Sequence, residues 1–252
     1  MNLKYIFIIP YRDREQHKYF FNIFIKYLLE DYISESYKIL FVHQNNQEPF
    51  NRGAMKNIGF LYIKKLYPHT YKDFILIFND IDTLPYKKNI LNYDISNNEI
   101  KHFYGFEFAL GGIFSIKGRD FEKINGFPNY WGWGFEDNVI YKRAIQHDLT
   151  INRDQFYNIN CKEILHFADE IKKVMDRNIL NKHFNKNYNE IDGLNKLNNL
   201  NFSYNNTTNM LDVNYFTCYY NSKQFNPYNH SILDGTKIKK ISKNPFFRMN
   251  IN

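Results

Sequence analysis

The chain has 252 residues, 44% of them hydrophobic, and its 24 Phe and 21 Tyr give it far more to bury than a disordered chain offers. Two cysteines, Cys161 and Cys218, exclude a disulfide framework and a Cys-based zinc site, and no apolar run approaches the ~20 residues of a membrane helix. A net charge of +7 suits phosphate-bearing partners, but only residues 237–243 (KIKKISK) make a dense basic run, which reads as a solvated tail.

Residues 5–9 (YIFII) predict a first strand, stopped by Pro10. Asp13 with Gln16 has the form of a helix start. The segment 17–29 then places Phe20, Phe21, Phe24, Tyr27 and Leu28 at helical spacing. Residues 39–42 predict a second strand. Asn51 can cap a helix over 52–66, ended by Pro68, and 74–78 (FILIF) predicts a third strand. This alternation points to an α/β fold, a mostly parallel central sheet flanked by helices. Such sheets bind ligands at the carboxyl ends of their strands.

Further on, 113–116 predicts a strand and 119–124 a short helix closed by Gly126. A Trp/Gly loop at 131–134 leads into a helix over 136–146 with two acids in its first turn. Beyond Asp192 the chain is polar apart from a strand-like 215–220. With no internal repeat and no linker, the expectation is one domain over 1–204, followed by a strand-containing extension over 205–252.

Asp80-Ile81-Asp82 directly follows the FILIF strand. In an extended segment residues i and i+2 point to one side, so both carboxylates would face one ligand, as a divalent cation touching a diphosphate requires. Pairs of acids spaced this way also arise in polar loops. Arg12 and Arg14, just past the first strand, suit an anion site at a helix N-terminus, or equally pair with Asp13 or Glu15 at the surface. Phe50 and Arg52 offer a ring and a guanidinium for a nucleotide base, or a helix cap with one anchoring Phe.

The segment 131–137 (WGWGFED) carries the only two tryptophans in a Gly-flanked loop that delivers Glu136 and Asp137 to a helix start. An aromatic plate beside acids is a common way to hold a sugar, and helix capping is the plainer role for the acids. His166 would make a second metal ligand beside Asp82 and tilt preference towards Mn2+ over Mg2+. Neither cysteine looks like an activated nucleophile.

With these motifs in order along the chain, the sequence resembles the β-1,4-galactosyltransferase family, glycosyltransferase family 7. The matching segments are IIPYRDREQH (8–17), FNRGAMKNIGF (50–60), FNDIDTLP (78–85), GGIFSI to FEDN (111–138) and IDGLNKL (191–197). The resemblance implies a GT-A-type nucleotide-sugar-binding fold and inverting transfer from a UDP-sugar to a glycan or glycoconjugate acceptor. It places Pro10, Arg12 and Arg14 in a UDP-contacting loop and Phe50 with Arg52 at the uridine. Asp80 and Gly112 fall at the donor sugar, and Trp133 in a mobile loop that closes over it. Asp82 and His166 become the metal ligands for Mn2+, with Mg2+ as the alternative. Glu136, Asp137 and Asn138 become acceptor-binding, and Asp137 the catalytic base.

Three positions depart from the family pattern. Phe135 stands where the family usually has Gly, Asn138 where it usually has Asp, and Glu163 where vertebrate members carry a metal-contacting Met, which offers a third ligand. Vertebrate galactosyltransferases also carry a Tyr two residues before the Gly-Gly pair. Here Ala109 takes that place, so either an N-acetylhexosamine donor fits at least as well as galactose, which is the expectation, or Phe106 or Phe108 swings into the gap and restores the exclusion. The 252 residues contain no anchor or stem like the family's, so the expected location is the cytoplasm, with no transmembrane anchor and no nucleic-acid partner. Two other readings predict different sequences. A nucleic-acid-binding module would cluster Lys and Arg among aromatics, and a catalytically silent sugar-binding relative would have lost Asp82 or Asp137.

Overall fold

A computed structural model describes residues 3–167, 172–184 and 191–231, so the basic run at 237–243 lies outside the described residues. In chain order the elements are β1 (Tyr5–Tyr11), α1 (Glu15–Leu28), β2 (Tyr37–Gln44), α2 (Arg52–Leu66), β3 (Ile75–Asn79), β4 (Thr83–Pro85), β5 (Glu99–Gly105) and β6 (Ile113–Lys117). There follow α3 (Gly118–Lys123), α4 (Glu136–Gln146), β7 (Thr150–Asn152), β8 (Tyr157–Asn158), β9 (Ile164–His166), β10 (Lys172–Asp176) and α5 (Arg177–Phe184). Strands β11 (Asn198–Asn205), β12 (Met210–Thr217) and β13 (Pro227–Ser231) close the described chain.

The central sheet runs β11-β12-β2-β1-β3-β6-β5-β7, with β8 also pairing β5. Its heart is parallel: β1 pairs in parallel with both β2 and β3, as alternation with helices predicts. Beyond β3 the direction reverses, β6 running antiparallel to both β3 and β5. All seven residues of β1 are buried, and their alternating sides feed two cores. Ile6 and Ile8 pack with Ala54, Ile58 and Phe60 of α2, and Phe7 and Ile9 with Phe21 and Ile25 of α1.

The helix starts divide instructively. Asn51 caps α2 as expected, its side chain accepting from Ala54 N at 2.9 Å. Asp13 does not cap α1: it sits in a left-handed conformation (φ 50), Arg14 occupies the cap position, and no side chain caps the helix. Helical spacing along α1 is real, but the buried face is Phe21, Ile25 and Leu28, leaving Phe20 and Tyr27 exposed.

A larger difference lies at the C-terminal end. The hairpin β11–β12 spans the expected boundary at 204/205, and β12 pairs in parallel with β2, burying Leu211 and Val213. Residues through Thr217 therefore extend the central sheet. No helix among the described residues is long and apolar enough to cross a membrane.

Candidate active site

The site forms where β3 ends. Asn79 Nδ2 bonds the carbonyls of Asp80 and Thr83, both at 2.7 Å, and Thr83 N bonds Asp80 O at 3.1 Å. These bonds make residues 80–82 a turn. The extended geometry that would aim both acids at one point is not formed, and the two carboxylates take separate partners.

Asp80 faces the N-termini of α2 and α4. Arg52 Nη1 lies 3.3 Å from Asp80 Oδ2, while Arg52 also bonds Glu136 Oε1 and Asp137 Oδ2, each at 2.7 Å. Lys56, one turn further along α2, bonds Asp137 Oδ1 at 3.2 Å and lies 3.6 Å from Asp80 Oδ1. Arg52 thus engages three carboxylates in this structure, where the family resemblance placed it at uridine. Phe50 leans on the main core, and its carbonyl accepts from Gly132 N at 2.9 Å.

Environment separates the acids. Burial opposes charge on Asp80, but Arg52, Lys56 and Arg14 outweigh it and hold that carboxyl below its ordinary range. Burial wins at Asp137 and lifts its carboxyl to about 6, against the pull of Lys56 and Arg52 and with the repulsion of Glu136 and Asp80. A carboxylate poised near neutrality can accept a proton and still be ionised at pH 7. Glu136 is buried and also accepts from Gly134 N at 3.1 Å, which ties the Trp/Gly loop to the start of α4 without a side-chain cap on the helix.

Two adjacent glycines allow close approaches here, the first of them to Asp137. A Cβ on Gly111 would stand 2.6 Å from Asp137 Oδ2, and one on Gly112, whose φ is +68, would collide with Tyr104 O. Leu110 N further pins the Asp137 carbonyl at 2.9 Å, and Gly112 O accepts from Asp80 N at 3.1 Å.

Asp82 points to a second cluster. Arg14 Nη1 bonds its Oδ2 at 2.9 Å, and Phe167 N bonds its carbonyl at 2.9 Å. The β4–β9 pairing sets His166 directly opposite Thr83, so Asp82 and His166 come together from distant parts of the chain. Tyr104 Oη meets His166 Nδ1 at 2.9 Å. If that nitrogen carries the proton, the lone pair is on Nε2, the arrangement a metal-ligating imidazole needs. A carboxylate and an oriented imidazole fit a divalent cation of borderline softness. Glu163 lies at the opposite end of the β4–β9 ladder from Asp82, its carbonyl accepting from Tyr86 N. Among the described residues, no three His, Cys, Asp or Glu side chains are gathered as a metal cage.

The remaining expected residues are distributed around these clusters. Pro10 is buried in β1 opposite Val42. Arg12 bonds the Glu48 carbonyl and pairs with Asp13 at 3.2 Å, which is the surface pairing the sequence allowed. The two tryptophans separate: Trp131 is buried, stacked on Phe216 with its indole N–H on Tyr220 O at 2.7 Å, whereas Trp133 stays half-buried. Backbone bonds from Gly132 to Phe50 and from Trp133 to Val174 hold this loop in place.

Two family models match the chain: the N-terminal region of glycosyl transferase group 7 over residues 1–94, and a galactosyltransferase domain, described as N-terminal, over 92–169. The chain belongs to glycosyltransferase family 7, the β-1,4-galactosyltransferases. Human beta-1,4-galactosyltransferase 1 is 30% identical over 178 residues, 66% of this chain and 43% of that protein. The xylosylprotein 4-beta-galactosyltransferase of Caenorhabditis elegans is 33% identical over 157 residues, 58% of this chain and 52% of that protein. The chain thus spans about half the length of these curated relatives. Among solved structures, the catalytic domain of Drosophila beta1,4-galactosyltransferase 7 in complex with xylobiose aligns with a TM-score of 0.66 at 20% identity, covering 88% of this chain and 97% of that one. A mutant of the same enzyme, solved with manganese, UDP-Gal and xylobiose, aligns equally well. The fold is therefore of the GT-A type.

Within this β-1,4-galactosyltransferase-family chain, the departures now have physical settings. Phe135 adopts φ +70, a left-handed backbone that suits Gly and strains a bulky residue. Asn138 Nδ2 reaches Phe108 O at 3.3 Å, tying the α4 start to the loop before Gly111. Ala109 is buried in that loop, while Phe106 and Phe108 stack on each other at its surface, rings 5.2 Å apart.

Several supporting residues escaped the sequence reading. Lys56 and Tyr104 are two, and a buried polar network is another: Asn57 Nδ2 bonds Asn129 Oδ1 at 3.0 Å, and Asn129 Nδ2 bonds Asp192 Oδ1 at 2.8 Å. That network fixes the Trp/Gly segment against α2. Lys56 had one available signal, its i, i+4 spacing from Arg52 on a single helix face.

Proposed function

We propose that this chain is a metal-dependent inverting glycosyltransferase, moving a hexose or N-acetylhexosamine from a UDP-sugar to a hydroxyl of a sugar acceptor. The observation that carries the reading is the convergence of Asp137, Asp80 and Glu136 on Arg52 and Lys56 at the carboxyl end of β3, with His166 brought opposite Thr83, next to Asp82, by the β4–β9 ladder. Complexes of the Drosophila relative with manganese, UDP-Gal and xylobiose support the same substrate classes.

In this mechanism an acceptor hydroxyl attacks the anomeric carbon from the side opposite UDP. Asp137 takes the hydroxyl proton, and the bond from the anomeric carbon to the diphosphate oxygen breaks with its electron pair. Glu136 and Asn138 flank the base at the start of α4, where they can hold acceptor hydroxyls. Arg12 and Arg14, at the end of β1, supply positive charge for the departing diphosphate. Asp82 and His166 would hold Mn2+, which when bound neutralises charge on that diphosphate.

The donor follows from Ala109. Phe106 and Phe108 are exposed and stacked together, so neither replaces the aromatic bulk missing at that position. An N-acetylhexosamine donor is therefore accepted at least as well as UDP-Gal. The test is acceptor-dependent UDP release from UDP-Gal, UDP-GalNAc and UDP-GlcNAc, with and without Mn2+, for the wild type and Ala109→Tyr. Mn2+-dependent release, shifted towards UDP-Gal by the Tyr, is expected. No release from any UDP-sugar contradicts the function. A strong wild-type preference for UDP-Gal, or a preference unchanged by the Tyr, contradicts the donor argument alone.

A further inference from the structure

We propose that Lys56 is a positioning residue that keeps the Asp137 carboxylate ionised and aimed at the acceptor hydroxyl, and thereby sets the lower pH limit of transfer. The inference rests on Asp137 being the base and names what holds that base ready.

Lys56 is 1% exposed, in the second turn of a helix buried along most of its length. A buried ammonium is disfavoured unless counter-charges surround it. Here it has Asp137 Oδ1 at 3.2 Å, Asp80 Oδ1 at 3.6 Å, and the ring centroid of Phe127 at 4.5 Å. The two cations of α2 divide the two carboxylates by atom: Arg52 takes the Oδ2 oxygens and Lys56 the Oδ1 oxygens. Asp137 is thus fixed in rotation as well as in position, with Oδ1 on the longer bond (3.2 against 2.7 Å) and better able to accept another proton.

A purely structural role for Lys56 is the competing explanation, since buried acids need neutralising. Arg52 alone already bridges Asp80, Glu136 and Asp137, so the three are held together without Lys56, but one positive charge against three carboxylates leaves Asp137 under-compensated. The charged groups facing Asp137 are Arg52 and Lys56 from α2, Glu136 from its own helix, and Asp80 from the turn after β3. The first two favour its anion, and Lys56 is the stronger of them; Glu136, Asp80 and burial oppose it. Without Lys56, Arg52 alone would face all three. Asp137 would then stay protonated to higher pH, and a protonated carboxyl cannot act as the base.

The experiment is the pH profile of kcat for the wild type, Lys56→Met, Lys56→Gln and Lys56→Arg, using the best donor and saturating Mn2+. Thermal melting and calorimetric UDP affinity accompany it. Both uncharged variants are expected to move the acidic limb up by about one pH unit or more. At pH 6 they should run roughly fivefold or more below wild type, with the gap narrowing steadily towards pH 9. Lys56→Arg should keep the wild-type limb, and UDP affinity should change little in any variant. An unmoved limb in folded Lys56→Met or Lys56→Gln overturns the inference, as does a uniform rate loss at every pH. Failure of both uncharged variants to fold overturns it too, by assigning Lys56 to stability. If Asp137→Asn turns over near the wild-type rate, the base assignment itself has failed; if it is inactive and the Lys56 variants keep their limb, only this inference has.

Discussion

Asp80 and Asp82 are two residues apart on one turn, yet they serve opposite kinds of site. Asp80 belongs to a closed cluster in which Arg52 and Lys56 gather it with Asp137 and Glu136, its buried Oδ1 making no hydrogen bond and standing 3.6 Å from Lys56 Nζ. Asp82 belongs to an open one: a single guanidinium from Arg14, and an exposed His166 oriented by Tyr104. Preorganised charge inside a closed cluster costs no rearrangement when a proton moves, which suits the chemical step. Donors with fewer partners, one of them the exposed His166, suit a ligand that must arrive and leave. The difference teaches that partner count, more than residue type or burial, divides labour among these acids, since the side chains of Asp80, Asp82 and Asp137 are 15%, 17% and 17% exposed.

The sharpest way to break this comparison is to neutralise the base. Asp137→Asn keeps the shape and the bonds to Arg52 geometrically possible but cannot take a proton. Turnover should fall by about two orders of magnitude or more in steady-state assays while UDP-sugar binding survives. Near wild-type turnover would move the base elsewhere, with Glu136 next in line.

A second change perturbs the closed cluster without touching a charge. In Gly111→Ala the new methyl would meet Asp137 Oδ2 at 2.6 Å, so the carboxylate must shift. Roughly a 10- to 100-fold loss in kcat is expected, because small misplacements of a reacting group are costly. UDP affinity should be unchanged, and a kcat within twofold of wild type would show that the cluster tolerates displacement.

The open cluster should respond differently. Tyr104→Phe removes the hydroxyl that meets His166 Nδ1 and leaves the ring packing in place. Mn2+ affinity measured by calorimetry should weaken about tenfold, in the range seen when a ligand loses its outer partner. An unchanged affinity would mean that His166 is not oriented for a metal through this contact.

Much of this was legible in sequence, and the exceptions have physical causes. The bounds of α2 and α4 could be read because local signals, Asn51 at one start and paired acids at the other, coincide with their ends. Strand β1 could be read from its apolar run. Asp13 misled because a capping residue type says nothing about φ, and here the backbone turns left-handed. The placement of β12 beside β2 was hidden: parallel pairing joins segments far apart in sequence, and β11 alternates without a fully buried face to announce the hairpin. In the site, the acids stood out by type and spacing. Their sorting into closed and open clusters did not, because the turn at 80–82 is made by the Asn79 and Thr83 hydrogen bonds and not by the acids themselves.

The division of labour itself is tested most directly by calorimetric titration of UDP, in the presence of Mn2+, into Asp82→Asn and Asp137→Asn side by side. The account predicts that Asp137→Asn binds UDP as the wild type does, while Asp82→Asn loses the Mn2+-dependent part of the affinity. Unchanged UDP affinity in Asp82→Asn, or a comparable loss in both variants, would contradict it.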